Sequence, residues 1–161
     1  MAAKKSSRQA HKKGVKQPSA IVNRRASYDY ALGDTVTVGV VLTGREVRAA
    51  RDGRVQLKGS FVTVRQNELW LNNASFSLAL NSKGQHETSV DTTARKLLAS
   101  RKEIDELYAR KQDGMSIVPL RLLTQGRFIK LVIALGKGKK NYDKRQAIKK
   151  RDQERDTARS L

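Results

Sequence analysis

The chain has 161 residues and a formal net charge of +19, with 34 Lys and Arg against 15 Asp and Glu. This length suits one domain with tails. The absence of cysteine excludes disulfides and thiolate metal sites, and no run approaches the ~18–20 apolar residues of a transmembrane helix. The basic N-terminal stretch has no apolar run after it, so we expect no signal peptide. We therefore expect a cytoplasmic protein with no membrane partner.

The positive charge is concentrated at the two ends of the chain. Residues 1–30 carry eight bases and one acid, and residues 136–161 carry ten bases and four acids, whereas residues 31–135 carry sixteen and ten. A compact module with two basic arms is typical of nucleic-acid-binding proteins. A membrane surface is the competing anion, but the C-terminal tail lacks the apolar face of an interfacial helix. We predict a disordered basic arm over residues 1–20, a barrel domain over 21–135 and a basic tail over 136–161.

The first clear elements are a strand and a short helix. Residues 35–43 alternate between valine or leucine and other residues, which predicts a β-strand, with Gly39 at a bulge or a close approach. Thr43 and Glu46 have the spacing of a capping box. A helix is therefore predicted over residues 44–51.

Short strands are predicted next. Residues 61–64 and 68–71 read as two strands that are joined by a turn at Gln66 and Asn67, and residues 55–57 form a further short strand. Residues 72–92 mix Ser, Asn, Thr and Gly with scattered apolar residues. They predict a strand followed by an exposed loop.

A second helix begins after Ser100, where Glu103 repeats the capping-box spacing. It ends at Gly114. One face of this helix is predicted to carry Ile104, Leu107, Tyr108 and Lys111.

Two long strands close the domain. Residues 117–124 and 127–135 alternate in hydropathy around a turn at Gln125 and Gly126, and Pro119 is expected at an edge or a bulge. The total is about six short antiparallel strands with two small helices. This pattern predicts a mainly β fold, a closed antiparallel barrel of the oligonucleotide-binding type, with flexible basic tails.

The titratable residues give no catalytic constellation. His11 falls in the predicted arm and His86 in the predicted loop, and neither has a carboxylate at acid–base or metal-ligand spacing. Nucleotide-binding loops and nucleophile elbows are also missing from the sequence. We expect a protein that is not an enzyme and needs no cofactor or metal.

Basic residues also cluster inside the predicted domain. Arg24 and Arg25 follow Asn23 near the first ordered segment, and arginines recur every third residue on the first helix. Arg95 and Lys96 precede an apolar pair at an apparent loop-to-helix join. Charges on a helix face are more often solvated surface than binding site, so the two chain ends are the stronger indication of nucleic-acid binding.

The tail is predicted to need a partner. Residues 136–140 read as a flexible basic hinge, and Asp143 with Gln146 offers an N-cap for a helix. A helix of this length without a tertiary face is marginal in water, so we predict that it folds on a polyanion. Tyr142 either stacks on a base or packs back on the barrel as a staple.

Five segments of the chain carry a family likeness: VVLTGREVRAARDGRVQLKGSFV, ELWL, ARKLLASRKEIDELYARK, SIVPLRLL and ALGKGKKNYDKRQAIKKRDQER. They resemble the small protein B family, the bacterial proteins that bind transfer-messenger RNA, from about Ile21 to the end. The resemblance implies the barrel predicted above and a role as an RNA-binding adaptor. Such an adaptor clasps the tRNA-like part of transfer-messenger RNA. The alanyl-charged complex is delivered by elongation factor Tu to a stalled ribosome for trans-translation, where the tail becomes helical in the decoding centre and message channel.

The resemblance also implies two sets of contact residues. Those expected on transfer-messenger RNA are Asn23, Arg24, Arg25, Thr37, Lys96 and Leu98. Those expected in the ribosomal decoding centre are Gly138, Lys139, Lys140, Tyr142, Asp143, Lys144 and Arg145. At Tyr142 the family has Tyr or His, which favours stacking.

Two departures from the family stand out. Many members have Glu where this chain has Thr37, and residues 74–94 lack the family's usual proline-containing pairs. A hydroxyl is a neutral and weaker acceptor than a carboxylate. The alternative to a rescue adaptor is a ribosomal or ribosome-assembly protein that is held permanently in rRNA.

Overall fold

The computed structural model describes residues 20–79 and 88–159. The strands within these residues are β1 (Ala20–Val22), β2 (Tyr30–Val40), β3 (Val55–Gln56), β4 (Phe61–Arg65), β5 (Glu68–Asn72), β6 (Ser75–Ala79), β7 (Thr88–Asp91), β8 (Arg95–Leu98), β9 (Ser116–Leu123) and β10 (Lys130–Gly138). The helices are α1 (Ala26–Asp29), α2 (Gly44–Arg51), α3 (Arg101–Gln112) and α4 (Asn141–Arg159).

Six strands form a closed ring in the order β9-β10-β2-β8-β5-β4, and the pairing of Val62 in β4 with Ile117 in β9 closes it. All neighbours in the ring are antiparallel. β1 pairs with residues 121–123 of β9, beyond the point where β4 pairs with this strand. β3, β6 and β7 form a separate three-stranded sheet. The predicted mainly β barrel is confirmed.

The core fills the inside of this ring with aliphatic side chains and extends to Phe76 of β6 in the second sheet. Alternate residues of each strand point inward, as the period of a pleated strand requires. The largest fully buried side chains include Phe76, Leu69, Leu71, Leu97, Ile117, Leu122, Leu131 and Ile133. The alternation is incomplete in β9 and β10, where residues 117–119 and 131–136 are buried without a break.

Both predicted capping boxes are present. The hydroxyl of Thr43 accepts from the Glu46 N–H, and the Glu46 carboxylate accepts from the Thr43 N–H at 2.7 Å. Ser100 and Glu103 make the same reciprocal pair at the start of α3. Each box satisfies backbone donors that have no partner inside the helix.

Two strand predictions need correction. β2 starts at Tyr30 and ends at Val40, whereas the hydropathy pattern placed it over residues 35–43, because its first half is held by the end of β10. Arg95 and Lys96 belong to strand β8 and not to a loop-to-helix join. β8 is a strand because it lies between β2 and β5.

The predicted flexible hinge over residues 136–140 is wrong for residues 136–138, because β10 continues to Gly138 and pairs with β2. Gly136 faces Leu32 in the register, and a Cβ atom built on it would lie 3.0 Å from the Cβ of Tyr30. This glycine therefore allows two strands to approach closely. It does not supply flexibility.

Smaller differences concern single elements. Helix α1 was not predicted, and the stretch expected as a loop contains strand β7. Tyr108, expected on the inner face of α3, is half exposed. Pro119 lies in β9 at a shift of the β9–β10 register, as the bulge prediction required. Residues 1–19, most of the predicted arm, lie outside the described residues, while Ala20 belongs to β1.

Candidate nucleic-acid interface

Three residues that the family likeness selected share the outer wall of the barrel. Thr37 is exposed on β2 beside the buried Val38, and Lys96 and Leu98 flank the buried Leu97 on β8. Gly39 of β2 is the register partner of Leu98. Because residues two apart in a strand face the same side, these side chains form one surface, which we call the barrel face.

Gly39 is the close approach that the sequence predicted. A Cβ atom at this position would lie 3.3 Å from the Cβ of Leu98, so the leucine side chain occupies the space that the missing side chain leaves. Leu98 is nevertheless 53% exposed. The result is an apolar surface that a flat nucleobase or a sugar can contact.

An ion pair between β8 and β5 lies on this face. The Lys96 ammonium contacts the Glu68 carboxylate, and both side chains are substantially exposed. Trp70 pairs with Lys96 across β5 and β8 and is only partly buried. Since an exposed ion pair contributes little to stability, a phosphate can replace Glu68 as the partner of Lys96 at low cost.

The Asn23–Arg25 segment lies farther along the same wall. The register runs from Val22 to Arg121, then to Val132 and Thr37, which is three strand spacings or about 14 Å. Three spacings in a ring of six strands lead around the barrel, so this segment and the barrel face are separate parts of its outer wall.

Asn23 itself is buried, although it was expected on the RNA. Its side-chain amide donates to the carbonyl oxygen of Pro119 at 2.9 Å, and its backbone N–H donates to the carbonyl oxygen of Leu120 at 2.8 Å. The side-chain oxygen is buried without a hydrogen-bond partner among the described residues. Asn23 thus fixes the start of α1 on β9, and the exposed cations of this segment are Arg24 and Arg25.

Arginines from the turn before α1, from β9 and from α4 lie around one cleft. Arg24, Arg121 of β9 and Arg151 of α4 line one cleft together with Ser27 and Leu32. Like charges at one site repel each other unless an anion lies between them. The cleft therefore has the electrostatic character of a phosphate site.

The base of α4 is attached to α1 through Asp29. The Lys144 ammonium lies 3.2 Å from one carboxylate oxygen of Asp29, and Nε of Arg25 lies 3.1 Å from the other. The backbone N–H of Lys139 donates to the Asp29 carbonyl oxygen, and the Lys139 ammonium donates to the carbonyl oxygen of Ser27, both at 2.9 Å. We call these contacts the tail anchor.

The tail anchor perturbs the Asp29 carboxyl. Partial burial raises its pKa, but the hydrogen bonds from Lys144 and Arg25 outweigh that effect and hold the pKa below the ordinary value of 3.8. The group is therefore ionised at neutral pH. The Asp29 carboxylate therefore binds Arg25, which is expected on transfer-messenger RNA, and Lys144, which is expected in the decoding centre.

Beyond the anchor, α4 is a basic helix of 19 residues and about 28 Å with no buried residue. It begins at Asn141, so the prediction of Asp143 as N-cap is wrong and Asp143 lies in the first turn. Tyr142 is 66% exposed and its hydroxyl accepts from the Gln146 amide. The staple alternative is therefore wrong, and the ring is free to stack. Gly138, Lys140 and Arg145 are exposed around it.

The sequence missed several members of these surfaces. Lys130 pairs with Gly39 and so joins the barrel face, and Val41 and Phe128 are exposed apolar residues at the same end of the barrel. The strand alternation places Lys130 on the outer side. Its neighbours follow only from the pairing of β10 with β2.

Other chemistry finds little support in the part of the chain that the structure describes. No group of three or more His, Cys, Asp or Glu within residues 20–79 and 88–159 has metal-site geometry, and no helix there is long and apolar enough to cross a membrane. His11 and His86, judged unsuited to catalysis from the sequence, lie outside these residues.

A closed six-stranded barrel with an exposed cationic and apolar face, and a basic helix at its edge, defines a nucleic-acid-binding protein of the oligonucleotide-binding type. The profile of the SmpB protein family matches residues 20–161, and the chain belongs to this family.

Curated relatives agree with this assignment. The SsrA-binding protein of Streptococcus suis is 41% identical over 140 residues, which cover 86% of this chain and 89% of the relative. That of Bacteroides thetaiotaomicron is 42% identical over 148 residues, 90% of this chain and 97% of the relative. That of Corynebacterium diphtheriae is 38% identical over 155 residues, 94% of each.

A solved structure extends the likeness to three dimensions. It is described as "tmRNA-SmpB: a journey to the center of the bacterial ribosome", and its chain superposes with a TM-score of 0.62 at 32% identity, covering 81% of this chain and 95% of that chain.

Proposed function

We propose that this chain is an RNA-binding adaptor that binds the tRNA-like domain of transfer-messenger RNA and brings it to stalled ribosomes for trans-translation. The observation that carries the proposal is the presence of two cationic surfaces on one small protein. One is the wall of the closed barrel, and the other is an unburied basic helix that starts beside it. The relatives named above are SsrA-binding proteins.

The barrel wall is suited to a folded RNA. Val22, close to Arg24 and Arg25 in sequence, is about 14 Å from Thr37 along the sheet, so these cations and the barrel face would contact different stretches of one RNA backbone. Leu98 and Thr37 supply an apolar contact and a neutral hydroxyl between the cations. Such a surface holds a curved backbone and contacts loop nucleotides, in keeping with an RNA elbow.

The helix is suited to a channel lined by RNA. Its Lys and Arg outnumber its acids, and no residue of it is needed in the core. Tyr142, Lys140 and Arg145 are exposed at its start, where they are free to contact rRNA in the decoding centre. The rest of α4 then follows the empty message channel.

The remaining steps complete the proposed role. The adaptor acts without chemistry of its own, in the bacterial cytoplasm where ribosomes stall. The RNA that it holds is charged with alanine and delivered by elongation factor Tu. The barrel takes the place of the missing anticodon arm, so that the tail is aimed at the decoding site.

A truncation after Lys140 tests this division of labour. It removes α4 and leaves every strand of the ring intact. We expect affinity for a transcript of the tRNA-like domain to stay within about tenfold of the full chain, with a steep fall as salt rises, while tagging on stalled ribosomes in a purified translation system is lost.

The matched control is a full-length chain in which Tyr142 is replaced by Ala. It should bind the transcript as the wild type does and tag poorly. A truncated chain that folds but fails to bind the transcript would contradict the proposed roles of barrel and tail.

A further inference from the structure

One exposed aromatic ring lies in the turn just before β10. Phe128 is 67% exposed, the highest value among the large apolar side chains in the described residues, whereas the adjacent Ile129 is buried in the core. The Arg127 guanidinium lies 5.3 Å from the centre of the Phe128 ring. One face of the ring is therefore covered by a cation and the other is turned to solvent.

The ring is held in place by the turn that carries it. Gly126 has a φ of +95°, which favours glycine, and its carbonyl oxygen accepts from the Arg51 guanidinium at 3.2 Å. Ile129 fixes the other side by inserting into the core. The backbone on both sides of Phe128 is thus fixed. The exposed ring itself contributes little to the stability of the fold.

The surroundings of Phe128 are cationic and belong to the barrel face. Lys130, two residues later, pairs with Gly39, which in turn pairs with Leu98. Arg51, Arg127 and Lys130 are all exposed. An exposed aromatic ring among fixed cations is complementary to nucleic acid, where each base offers a flat face and each phosphate a negative charge.

We propose that Phe128 binds a single unstacked nucleobase of the bound RNA on its open face, with Arg127 backing the ring and Lys130 neutralising the adjacent phosphate. This inference rests on the proposed RNA-binding function and deepens it, since it requires that the RNA region at this end of the barrel be a loop or a bulge. A continuous duplex buries its bases and has none to offer.

The test compares Phe128→Leu with Phe128→Tyr. Leucine keeps the apolar contact but has no π-face, whereas tyrosine keeps the face. Affinities are measured for a transcript of the tRNA-like domain of transfer-messenger RNA, for a twelve-nucleotide oligoadenylate, and for a duplex RNA of the same length.

We expect Phe128→Leu to bind the transcript and the oligoadenylate about 5- to 100-fold more weakly, as for the loss of one stacked base. Phe128→Tyr should stay within about threefold of wild type, and duplex affinity should not change. The salt dependence of Phe128→Leu should match wild type, while Lys130→Gln should lower the slope of log affinity against log salt by about 0.7, as for one phosphate contact on a single strand. Melting temperatures should stay within about 2 °C, because the ring is exposed.

Phe128→Leu binding both single-stranded probes as the wild type does would overturn the inference, as would an equal loss on the duplex. A wild type that binds the oligoadenylate through Phe128 but not the transcript would uphold the inference and reject the proposed function. Failure of the inference and failure of the proposed function therefore give different results.

Discussion

Replacement of Asp29 by Asn should loosen the base of α4 without unfolding the barrel. The substitution removes the charge that holds Lys144 and Arg25, but it leaves the Asp29 carbonyl oxygen, which still accepts from the Lys139 N–H. The side chains of Asp29 and Lys144 are 27% and 26% exposed, so their interaction is only partly screened by solvent.

The size of the effect follows from this partial burial. Exposed ion pairs contribute ~0.2–1 kcal/mol, and the geometry at Asp29 places the pair near the upper end, at about 1 kcal/mol. That value corresponds to a change of about fivefold in the ratio of docked to undocked helix. Arg25 is more than half exposed, so the loss of its pair adds little.

Distances between two spin labels measure the docked fraction. The chain has no cysteine, so cysteines placed at Gln153 on α4 and Lys102 on α3 are labelled selectively. We expect Asp29→Asn to broaden the distance distribution. Asp34→Asn, which removes an exposed ion pair between β2 and Arg110 of α3 and leaves every contact of the tail anchor in place, is the matched control and should not broaden it. Equal distributions for Asp29→Asn and wild type would refute the tail anchor.

Three further predictions follow from individual contacts. The docked fraction of α4 should hold constant from neutral pH to about pH 4.5 and fall only at lower pH. The reason is that the Asp29 carboxyl, whose pKa is lowered, stabilises the docked helix above the ordinary value of 3.8 and loses this contribution on protonation. The same spin labels measure the docked fraction, and its loss between about pH 7 and 5 would point to another group. Glu46→Gln should lower the free energy of unfolding in urea by about 1.5–3 kcal/mol, because the buried Arg95 loses its shortest charged hydrogen bond and keeps only the Asp91 carboxylate, 3.5 Å away, as a charge partner. Glu68→Gln, at an exposed pair, should cost under about 1 kcal/mol, and similar costs for the two substitutions would contradict the buried pair. Gly136→Ala should cost about 1–3 kcal/mol, since the new methyl meets Tyr30, while Gly138→Ala in the same strand has open space and should cost under about 1 kcal/mol in the same assay; equal costs would refute the close approach.

Features that depend on neighbours in sequence were predictable. Each capping box is a contact between residues three apart, and the turn at Gln66 and Asn67 has positive φ angles, which asparagine tolerates better than most residues. The hydropathy alternation likewise predicted the long hairpin of β9 and β10, because both strands contribute inward residues to one core.

Features that depend on residues distant in sequence were not predictable. Arg95–Leu98 has no strand signal of its own and is extended only because β2 and β5 lie on either side of it. Glu46 was recognised as a cap, but its second carboxylate oxygen accepts from Arg95, 49 residues away, at 2.8 Å. No local pattern announces such a pair.

The candidate interface shows the same division. The family likeness selected Thr37, Lys96 and Leu98 one by one, and the pairing of β2 with β8 shows that they share a face. It also selected Asn23, whose buried amide has a structural partner in Pro119. Asp29 had no signal in the sequence, because its contacts with Lys139 and Lys144 join residues more than a hundred positions apart.

Recovery of RNA with the full-length chain from a bacterial extract, followed by sequencing and by counting the protein on sedimented ribosomes, decides whether these surfaces serve a rescue adaptor. Transfer-messenger RNA should dominate the recovered RNA, and the protein should be present on only a small fraction of ribosomes. Recovery of rRNA in amounts equal to the protein, with no enrichment of transfer-messenger RNA, would instead identify a permanent ribosomal component.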